Sequence, residues 1–155
     1  MGCSTSSNSK KNNTRILSLQ ELRKDVLLAH NSLRKQHKLP PAQFSAQLNT
    51  MAQTWADNLA ETNTFQHSPQ DHRKGAGENL AGHNELINGE GLVQMWSRDQ
   101  RHSMFGERQG IAHVTYDLCK DWTHMGLGRS RERGSNGMYI YVANYLPGND
   151  WMTSL

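Results

Sequence analysis

The sequence predicts an α+β domain in which helices come first and an antiparallel sheet follows. In the first half, apolar residues recur at spacings of three and four, which is typical of amphipathic helices. In the second half, alternating apolar residues and a Tyr-, Ile- and Val-rich segment indicate strands. Helices followed by hairpin-linked strands favour a layered α+β architecture.

The first helix is predicted to begin at Ser18, because Ser18 and Glu21 have the spacing of a capping box. The helix cannot continue through Pro40 and Pro41. Its core stripe is Leu19, Leu22, Val26, Ala29 and Leu33. A second helix over about 45–60 has the stripe Leu48, Met51, Ala52, Trp55, Ala56 and Leu59. A third helix over about 92–101 is expected to bury Leu92, Met95 and Trp96.

Strands are predicted around 114–118, 125–127 and 138–145, the last after a turn at 134–137. Three tyrosines share one face of the last strand: Tyr139, Tyr141 and Tyr145. We expect this face to pack on helices rather than to form a lipid platform. On the first helix, a polar group should lock the helix to the loop that follows it. This group is His30, Asn31 and Arg34.

The bulk composition indicates one cytosolic domain. A chain of 155 residues that is 35% hydrophobic fits a single core. The sequence has no apolar run of the roughly 20 residues that a membrane span needs, and no secretory signal pattern. The two cysteines, Cys3 and Cys119, give no disulfide framework, and Cys119 is expected to be a small buried thiol. The protein is therefore predicted not to be secreted.

Charge divides the chain into a leader (residues 1–17) and a body (residues 18–155). The leader contains Lys10, Lys11 and Arg15 and no acid, which leaves 14 bases and 14 acids in the body. A neutral body argues against a nucleic-acid groove, which needs clustered bases on a folded surface. The three leader bases are predicted to contact anionic lipid headgroups.

The start of the leader fits a lipidation signal. Gly2 followed by Ser6 matches the N-myristoylation pattern, and Cys3 is placed for palmitoylation. One myristoyl chain binds a membrane only reversibly, so the second acyl chain and the basic segment would strengthen attachment. The Ser- and Asn-rich composition equally fits a disordered tail. The two interpretations are compatible, and we expect a disordered, acylated tether.

Polar side chains beside predicted turns or strand starts are the candidates for chemistry. His67, Glu78 and His113 occupy three such places. Two imidazoles with a nearby carboxylate are a donor set that zinc accepts. No two histidines have the helical four-residue spacing of a metal motif, so the pattern alone favours histidines that are simply hydrogen-bonded.

Seven fragments occur in an order that resembles the CAP superfamily of cysteine-rich secretory, antigen 5 and pathogenesis-related proteins. They are His30-Asn31-Ser32-Leu33-Arg34, Leu39-Pro40-Pro41, Phe65-Gln66-His67-Ser68-Pro69, Gly77-Glu78-Asn79-Leu80-Ala81, Trp96, Met125-Gly126-Leu127-Gly128 and Asn144-Tyr145-Leu146-Pro147-Gly148-Asn149. The resemblance covers about residues 18–150. The sequence looks most similar to the intracellular, Golgi-associated plant pathogenesis-related branch.

The resemblance implies an α-β-α sandwich (the SCP domain) with a central cavity lined by two histidines and two acids. These would be His67, His113, Glu78 and Asp99, the last replacing the family's usual glutamate. The resemblance also implies a non-enzymatic domain that binds anionic lipids and protein partners. Its expected place is the cytosolic face of the Golgi, another endomembrane or the plasma membrane, with homodimerisation left open.

The alternative hypothesis is a zinc-dependent hydrolase. In it, His67 and His113 would bind the metal, and Glu78 or Asp99 would orient a metal-bound water. The competing structural interpretation is that Glu78 and its neighbours hydrogen-bond one another and tie a helical layer to the sheet. The sequence favours this structural interpretation.

Overall fold

A computed structural model of the protein describes residues 16–98, 103–105, 108–109 and 122–146. Their helices are α1 (Leu19–Gln36), α2 (Ala46–Thr62), α3 (Gln70–Arg73) and α4 (Gly89–Arg98). Their strands are β1 (Gln43–Phe44), β2 (Gly77–His83), β3 (Ser103–Phe105), β4 (Arg108–Gln109), β5 (His124–Arg129) and β6 (Tyr139–Leu146). The predicted strand at 114–118 and Cys119 lie outside these ranges.

Helix α1 begins where the capping box predicts. The Ser18 hydroxyl accepts the Glu21 N–H at 3.2 Å, and the Glu21 carboxylate accepts the Ser18 N–H at 2.9 Å. The predicted stripe is correct at Leu22 and Val26, which are fully buried. Its C-terminal half is wrong, because Ala29 and Leu33 are only half-buried and the buried residues there are His30 and Arg34. The last two are polar and find partners inside the fold, so this face can be buried without an apolar residue at every position.

Two members of the polar group on α1, Asn31 and Arg34, form the predicted lock, whereas His30 bonds within α1 and to β6 instead of the loop. Asn31 exchanges two hydrogen bonds with the Ala42 backbone, at 2.8 and 3.2 Å. The Arg34 side chain donates to the Pro40 carbonyl at 2.7 Å, and its guanidinium lies 4.5 Å from the centre of the Trp122 ring. These contacts hold the loop after α1 against the helix and lead the chain into β1.

The other two predicted helices are also present. Helix α2 is capped by Ser45, whose hydroxyl accepts the Leu48 N–H. Its most buried residues are Leu48, Ala52, Ala56, Leu59 and Ala60, whereas Met51 and Trp55 are half-buried. Helix α4 begins three residues earlier than predicted, and it buries Leu92 and Trp96 fully but Met95 only in part. Its early start is explained by the Asp25 carboxylate, which accepts the Gly89 N–H at 2.6 Å.

The sheet has the order β1-β5-β6-β2-β3-β4. Its central ladders, β5 with β6 and β6 with β2, are antiparallel, as predicted for the sheet, although the sequence did not predict β2 as a strand. The turn at 134–137 closes the β5–β6 hairpin through a hydrogen bond from the Gly137 N–H to the Gly134 carbonyl. The two-residue strand β1 adds a parallel pair with β5, which the sequence did not predict. The sheet of the described residues is therefore mixed.

Helices cover both faces of the sheet and make the α-β-α sandwich. On one face, α2 packs on Leu80, Ile140 and Val142. On the other face, α1 and α4 pack with Tyr141 and Tyr145, as the shared face of the tyrosines predicts. Strand β6 is buried on both sides, which explains its uncharged sequence. No helix in the described ranges combines the length and the apolar character that crossing a membrane requires.

Helix α2 lies unusually close to β5 because two glycines face it. A Cβ atom at Gly126 would overlap the Leu48 backbone, and one at Gly128 would overlap the Gln53 backbone. The Asn49 side chain then accepts the Leu127 N–H at 2.8 Å, and the Gln53 side chain accepts the Arg129 N–H at 3.1 Å. Side chains of α2 thus accept the β5 N–H groups that lie beyond the short pairing of β5 with β1.

Candidate functional site

Glu78 is the buried centre of the candidate site. It is the second residue of β2 and is 0% exposed. One carboxylate oxygen accepts the Ser68 N–H at 2.8 Å and contacts His67 Nδ1 at 2.9 Å. The other accepts the Ser68 hydroxyl at 2.6 Å and the Asn144 amide at 3.2 Å. All four contacts are hydrogen bonds of ordinary or short length, so the carboxylate is well satisfied.

These contacts decide the charge of Glu78. Burial is the largest influence and by itself raises the pKa of the carboxyl group. The hydrogen bonds from His67 and Ser68 act in the opposite direction and outweigh burial, so the pKa of Glu78 lies below its usual value. The side chain is therefore an ionised acceptor at neutral pH.

The loop that presents His67 and Ser68 is fixed at both ends. Trp55 on α2 donates its indole N–H to the Gln66 carbonyl at 3.0 Å. Arg73, which is buried at the end of α3, donates to the Ser68 carbonyl at 3.0 Å. These bonds hold the loop over the start of β2, where His67 and Ser68 supply three of the four hydrogen bonds to Glu78.

Asn144 comes to Glu78 through strand pairing. It lies directly opposite Glu78 in the β2–β6 ladder, and cross-strand partners of this kind project to the same face. Its amide donates both to the Gly77 carbonyl and to the Glu78 carboxylate. Neither Asn144 nor Ser68 was predicted as a site residue, although both belong to fragments that carry the family resemblance.

The four predicted cavity residues are therefore only partly placed. His67 and Glu78 meet directly, as the resemblance implies. Asp99 and His113 lie outside the described residues, as do the lipidation candidates Gly2 and Cys3 and the leader bases Lys10, Lys11 and Arg15. Their roles stay predictions.

His67 has the one feature here that suits a metal ion. Its Nδ1 is hydrogen-bonded to Glu78, while its Nε2 is buried and has no hydrogen-bond partner among the described residues. A carboxylate behind an imidazole is the usual support of a histidine ligand. Within the described ranges, however, no group of three or more potential metal-binding side chains occurs. The described residues thus supply one suitable nitrogen and not a complete site.

A second buried polar chain lies on the opposite face of the sheet. His30 Nδ1 donates to the Val26 carbonyl at 2.8 Å, because a carbonyl can only accept. His30 Nε2 then accepts the Tyr145 hydroxyl at 3.0 Å, and that hydroxyl accepts the Asn79 amide at 3.1 Å. Burial lowers the pKa of His30 to about 4, so its ring is neutral at physiological pH. This chain ties α1 to β6 and β2.

Comparison with known proteins gives the family. The family model of cysteine-rich secretory proteins, named CAP, matches residues 27–145. The human Golgi-associated plant pathogenesis-related protein 1 is 32% identical over 131 residues, which cover 83% of this chain and 84% of the relative. Pathogenesis-related leaf protein 6 of Solanum lycopersicum is 29% identical over 133 residues, with 83% and 79% coverage.

Solved structures show the same fold. The structure of BmVAL-1 aligns with a TM-score of 0.62 at 23% identity and covers 86% of this chain and 79% of that one. The crystal structure of NaASP2 with Zn²⁺ aligns with a TM-score of 0.59 at 17% identity and covers 88% and 84%. Together with the family match, these likenesses establish that the chain belongs to the CAP family.

Proposed function

We propose that the protein is a non-enzymatic CAP domain that its leader tethers to the cytosolic face of Golgi or related membranes. There it binds anionic lipids and protein partners. The observation that supports a binding role best is the state of Glu78. Its two oxygens accept four hydrogen bonds from His67, Ser68 and Asn144, so this carboxylate holds the loop to the sheet rather than acting as a base.

Membrane tethering rests on the leader motif and on the relative. Gly2, Ser6 and Cys3 fit dual acylation, and the leader bases fit an anionic surface. The 32% identical human protein is described as Golgi-associated, which supports the same location for this chain. In the described structure, the Leu17 carbonyl accepts a hydrogen bond from the Arg129 side chain at 3.1 Å, so the leader joins the body at a fixed point beside β5.

Vesicle sedimentation tests the lipid part of this proposal. We expect purified, unacylated protein to sediment with vesicles that contain phosphatidylserine and to stay in solution with pure phosphatidylcholine. Replacing Lys10, Lys11 and Arg15 by alanine should abolish sedimentation, at about 1 kcal/mol for each base near the surface. The matched control replaces Lys24, Lys35 and Lys38 on the body. Equal sedimentation of both triple variants would contradict a headgroup role for the leader.

The second candidate function is a zinc-dependent hydrolase, which the unpartnered Nε2 of His67 favours. His67 and His113 would hold the ion. Asp99, which directly follows α4 in the sequence, is one of the two acids that would orient the water. A bound zinc ion would make a hydroxide available near neutral pH. The described residues support only one part of this hypothesis, the positioning of His67. Glu78 would fix the orientation of the His67 ring and leave its Nε2 free as a ligand.

Calorimetric titration with zinc separates the two candidates. The wild type is compared with the His67→Ala, His113→Ala double variant, and His37→Ala serves as a control because His37 is exposed at the end of α1. The binding proposal expects the same heats in all three proteins. Saturable heat that the double variant loses and the control keeps would favour the hydrolase.

A further inference from the structure

The sequence contains two Asn-Gly pairs, Asn88-Gly89 and Asn136-Gly137. In such a pair, the backbone nitrogen of the glycine can attack the side-chain amide carbon of the asparagine and close a succinimide ring. Glycine has no Cβ atom to obstruct this approach. The two pairs lie in very different surroundings, so the structure distinguishes their reactivity where the sequence does not.

Asn136 lies at the exposed tip of the β5–β6 hairpin. Its side-chain oxygen accepts the Met138 N–H at 3.1 Å and so forms an Asx turn. The ring closed by this hydrogen bond includes both reacting atoms, the Asn136 amide carbon and the Gly137 nitrogen, and keeps them near each other. The same N–H would stabilise the negative charge that develops on the oxygen during attack.

The backbone at Gly137 is accessible. A Cβ atom built there would meet no heavy atom of the described residues within 4 Å. The Gly137 N–H donates to the Gly134 carbonyl at 2.8 Å, and this bond must open before the nitrogen can react. The bond belongs to an exposed turn, so it can open without moving a helix or the rest of the sheet.

Asn88-Gly89, in contrast, is held closed by the contact between α1 and α4. The Gly89 N–H donates to the Asp25 carboxylate at 2.6 Å, and a Cβ atom at Gly89 would overlap the Val26 backbone. The Asn88 side-chain oxygen caps α4 by accepting the Gly91 N–H at 2.8 Å. The Gly89 nitrogen therefore becomes free only when the first turn of α4 leaves α1, which costs more than opening an exposed turn.

We propose that Asn136 is a site of spontaneous deamidation and that the contact of α4 with α1 protects Asn88 from the same reaction. A solvent base removes the proton from the Gly137 nitrogen, which forms a bond to the Asn136 amide carbon. The bond from this carbon to the amide nitrogen breaks, and ammonia leaves after it gains a proton from solvent. Water then opens the succinimide at either carbonyl and gives aspartate or isoaspartate.

The two products affect the hairpin differently. Aspartate keeps an oxygen for the Met138 N–H and retains the Asx turn, but it adds a negative charge. Isoaspartate lengthens the backbone before Gly137 by one carbon atom. The hydrogen bonds from Gly137 to Gly134 and from Gly134 to Met138 would then no longer match. Isoaspartate should therefore loosen the end of the hairpin. This modification is independent of the membrane tether and of the contacts of Glu78.

The test follows purified full-length protein during prolonged incubation in mildly alkaline buffer at physiological temperature. Trypsin places the two pairs on separate peptides, 75–98 and 134–155, and tandem mass spectrometry assigns each change to a residue. We expect Asn136 to gain about one dalton, with both aspartate and isoaspartate formed. Relative to its rate in urea-unfolded protein, Asn88 of the folded protein should be slowed at least about tenfold more than Asn136.

Two outcomes would overturn the proposal. One is an Asn136 that stays intact in the folded protein over a period in which the unfolded protein reacts. The other is an Asn88 that reacts in the folded protein as fast as Asn136 does.

Variants assign the reaction to its residue. Asn136→Gln should abolish the mass gain of peptide 134–155 over the same period, because glutamine would have to close a larger and less favourable ring. Asn84→Gln is the control, since Asn84 is exposed and lies in the other peptide, and it should leave this mass gain unchanged. An undiminished gain in Asn136→Gln would place the reactive asparagine elsewhere and overturn the assignment.

Asp25→Ala tests the protection of Asn88. It removes the acceptor of the Gly89 N–H and should speed the reaction of Asn88 at least about threefold. Cooperative thermal unfolding shows that the variant keeps its fold. The same Asn88 rate in the folded variant and in the wild type would overturn the assigned protection.

Discussion

At the scale of single residues, the Glu78 carboxylate and the His30 imidazole lie on opposite faces of the sheet, and their surroundings favour opposite charge states. Glu78 is surrounded by donors and stays ionised. His30 donates to a carbonyl, accepts from a hydroxyl and stays neutral. Each therefore makes stability depend on pH in its own range.

Glu78→Gln should destabilise the protein by roughly 2–4 kcal/mol. The glutamine NH₂ group would replace one carboxylate oxygen and would then face either the Ser68 N–H or the Asn144 NH₂ group, so one buried hydrogen bond would be replaced by two opposed donors. Urea unfolding at pH 7 measures the change in the free energy of unfolding. Glu85→Gln is the control, because Glu85 is exposed, and it should change stability by less than about 0.5 kcal/mol. A similarly small change for Glu78→Gln would contradict the proposal that Glu78 holds the His67–Ser68 loop to the sheet.

His30 should make the protein less stable as the pH falls from about 6.5 to 4. Its pKa is about 4 in the folded protein and 6.5 as a reference, so the unfolded chain binds more protons in this range. Stability is fully present above pH 6.5 and falls by about 3 kcal/mol across the window. Only below about pH 4.5 does Glu78 add its own loss, because its pKa is lowered.

Urea unfolding of the wild type and of His30→Gln between pH 7.5 and 5 measures this dependence. The variant should be less stable at pH 7.5, but its stability should vary less with pH over this range. Other histidines are common to both proteins and cancel in the comparison. The same slope in both proteins would show that His30 is not the group responsible.

At the scale of secondary-structure elements, the register between α2 and β5 organises one half of the sandwich. Asn49, Gln53 and Asp57 are four residues apart on α2, and they accept the N–H groups of Leu127, Arg129 and Arg131. Four helical residues rise about 6 Å and two strand residues about 6.6 Å, so the two series stay matched over three contacts.

Asn49→Ala should cost about 1–3 kcal/mol, because the N–H of the buried Leu127 loses its acceptor. Hydrogen exchange of the Leu127 amide should accelerate as well. Asn58→Ala is a matched control on the same helix, since Asn58 is exposed. It should change stability by less than about 0.5 kcal/mol. Equal effects of the two variants would contradict the role of Asn49 as the acceptor of the Leu127 N–H.

Gly128→Ala should destabilise by about 3 kcal/mol or more, because its Cβ would overlap the Gln53 backbone and push α2 from the sheet. At Gly82, the nearest atom to an added Cβ is the Met138 methyl group at 3.3 Å, which can move. Gly82→Ala should therefore be tolerated within about 1 kcal/mol. Thermal unfolding compares the two. Gly128→Ala as stable as Gly82→Ala would show that α2 can withdraw from β5 at little cost.

Local signals predicted the elements well. The capping box at Ser18 and the turn at 134–137 act through neighbouring residues, so their outcome is contained in a few positions. The parallel pair of β1 with β5 was missed, because two residues leave no periodic pattern. The C-terminal half of the α1 stripe was predicted wrongly, because His30 and Arg34 are buried through distant partners, Tyr145 and Trp122.

In the candidate site, too, contacts between distant parts of the chain could not be predicted. His67 and Glu78 were found through a resemblance of ordered fragments, and the structure brings them together. Ser68 was visible beside His67, but nothing local shows that its hydroxyl reaches Glu78. Asn144 is 66 positions from Glu78 and meets it only through the pairing of β2 with β6.

At the scale of the whole molecule, the α-β-α sandwich holds the end of the leader at one defined point. The Leu17 side chain packs on the core cluster of α1 and α4, and its carbonyl is held by Arg129. Membrane attachment itself would depend on the acyl groups at Gly2 and Cys3.

The proposed attachment of this CAP domain to a membrane is tested most directly by fractionation of cells that express the full chain. We predict that the wild type and a Ser4→Ala control are recovered with membranes, whereas Gly2→Ala moves to the soluble fraction because both myristoylation and the following palmitoylation are lost. Recovery of Gly2→Ala with membranes at the wild-type level would contradict membrane attachment through acylation of the leader.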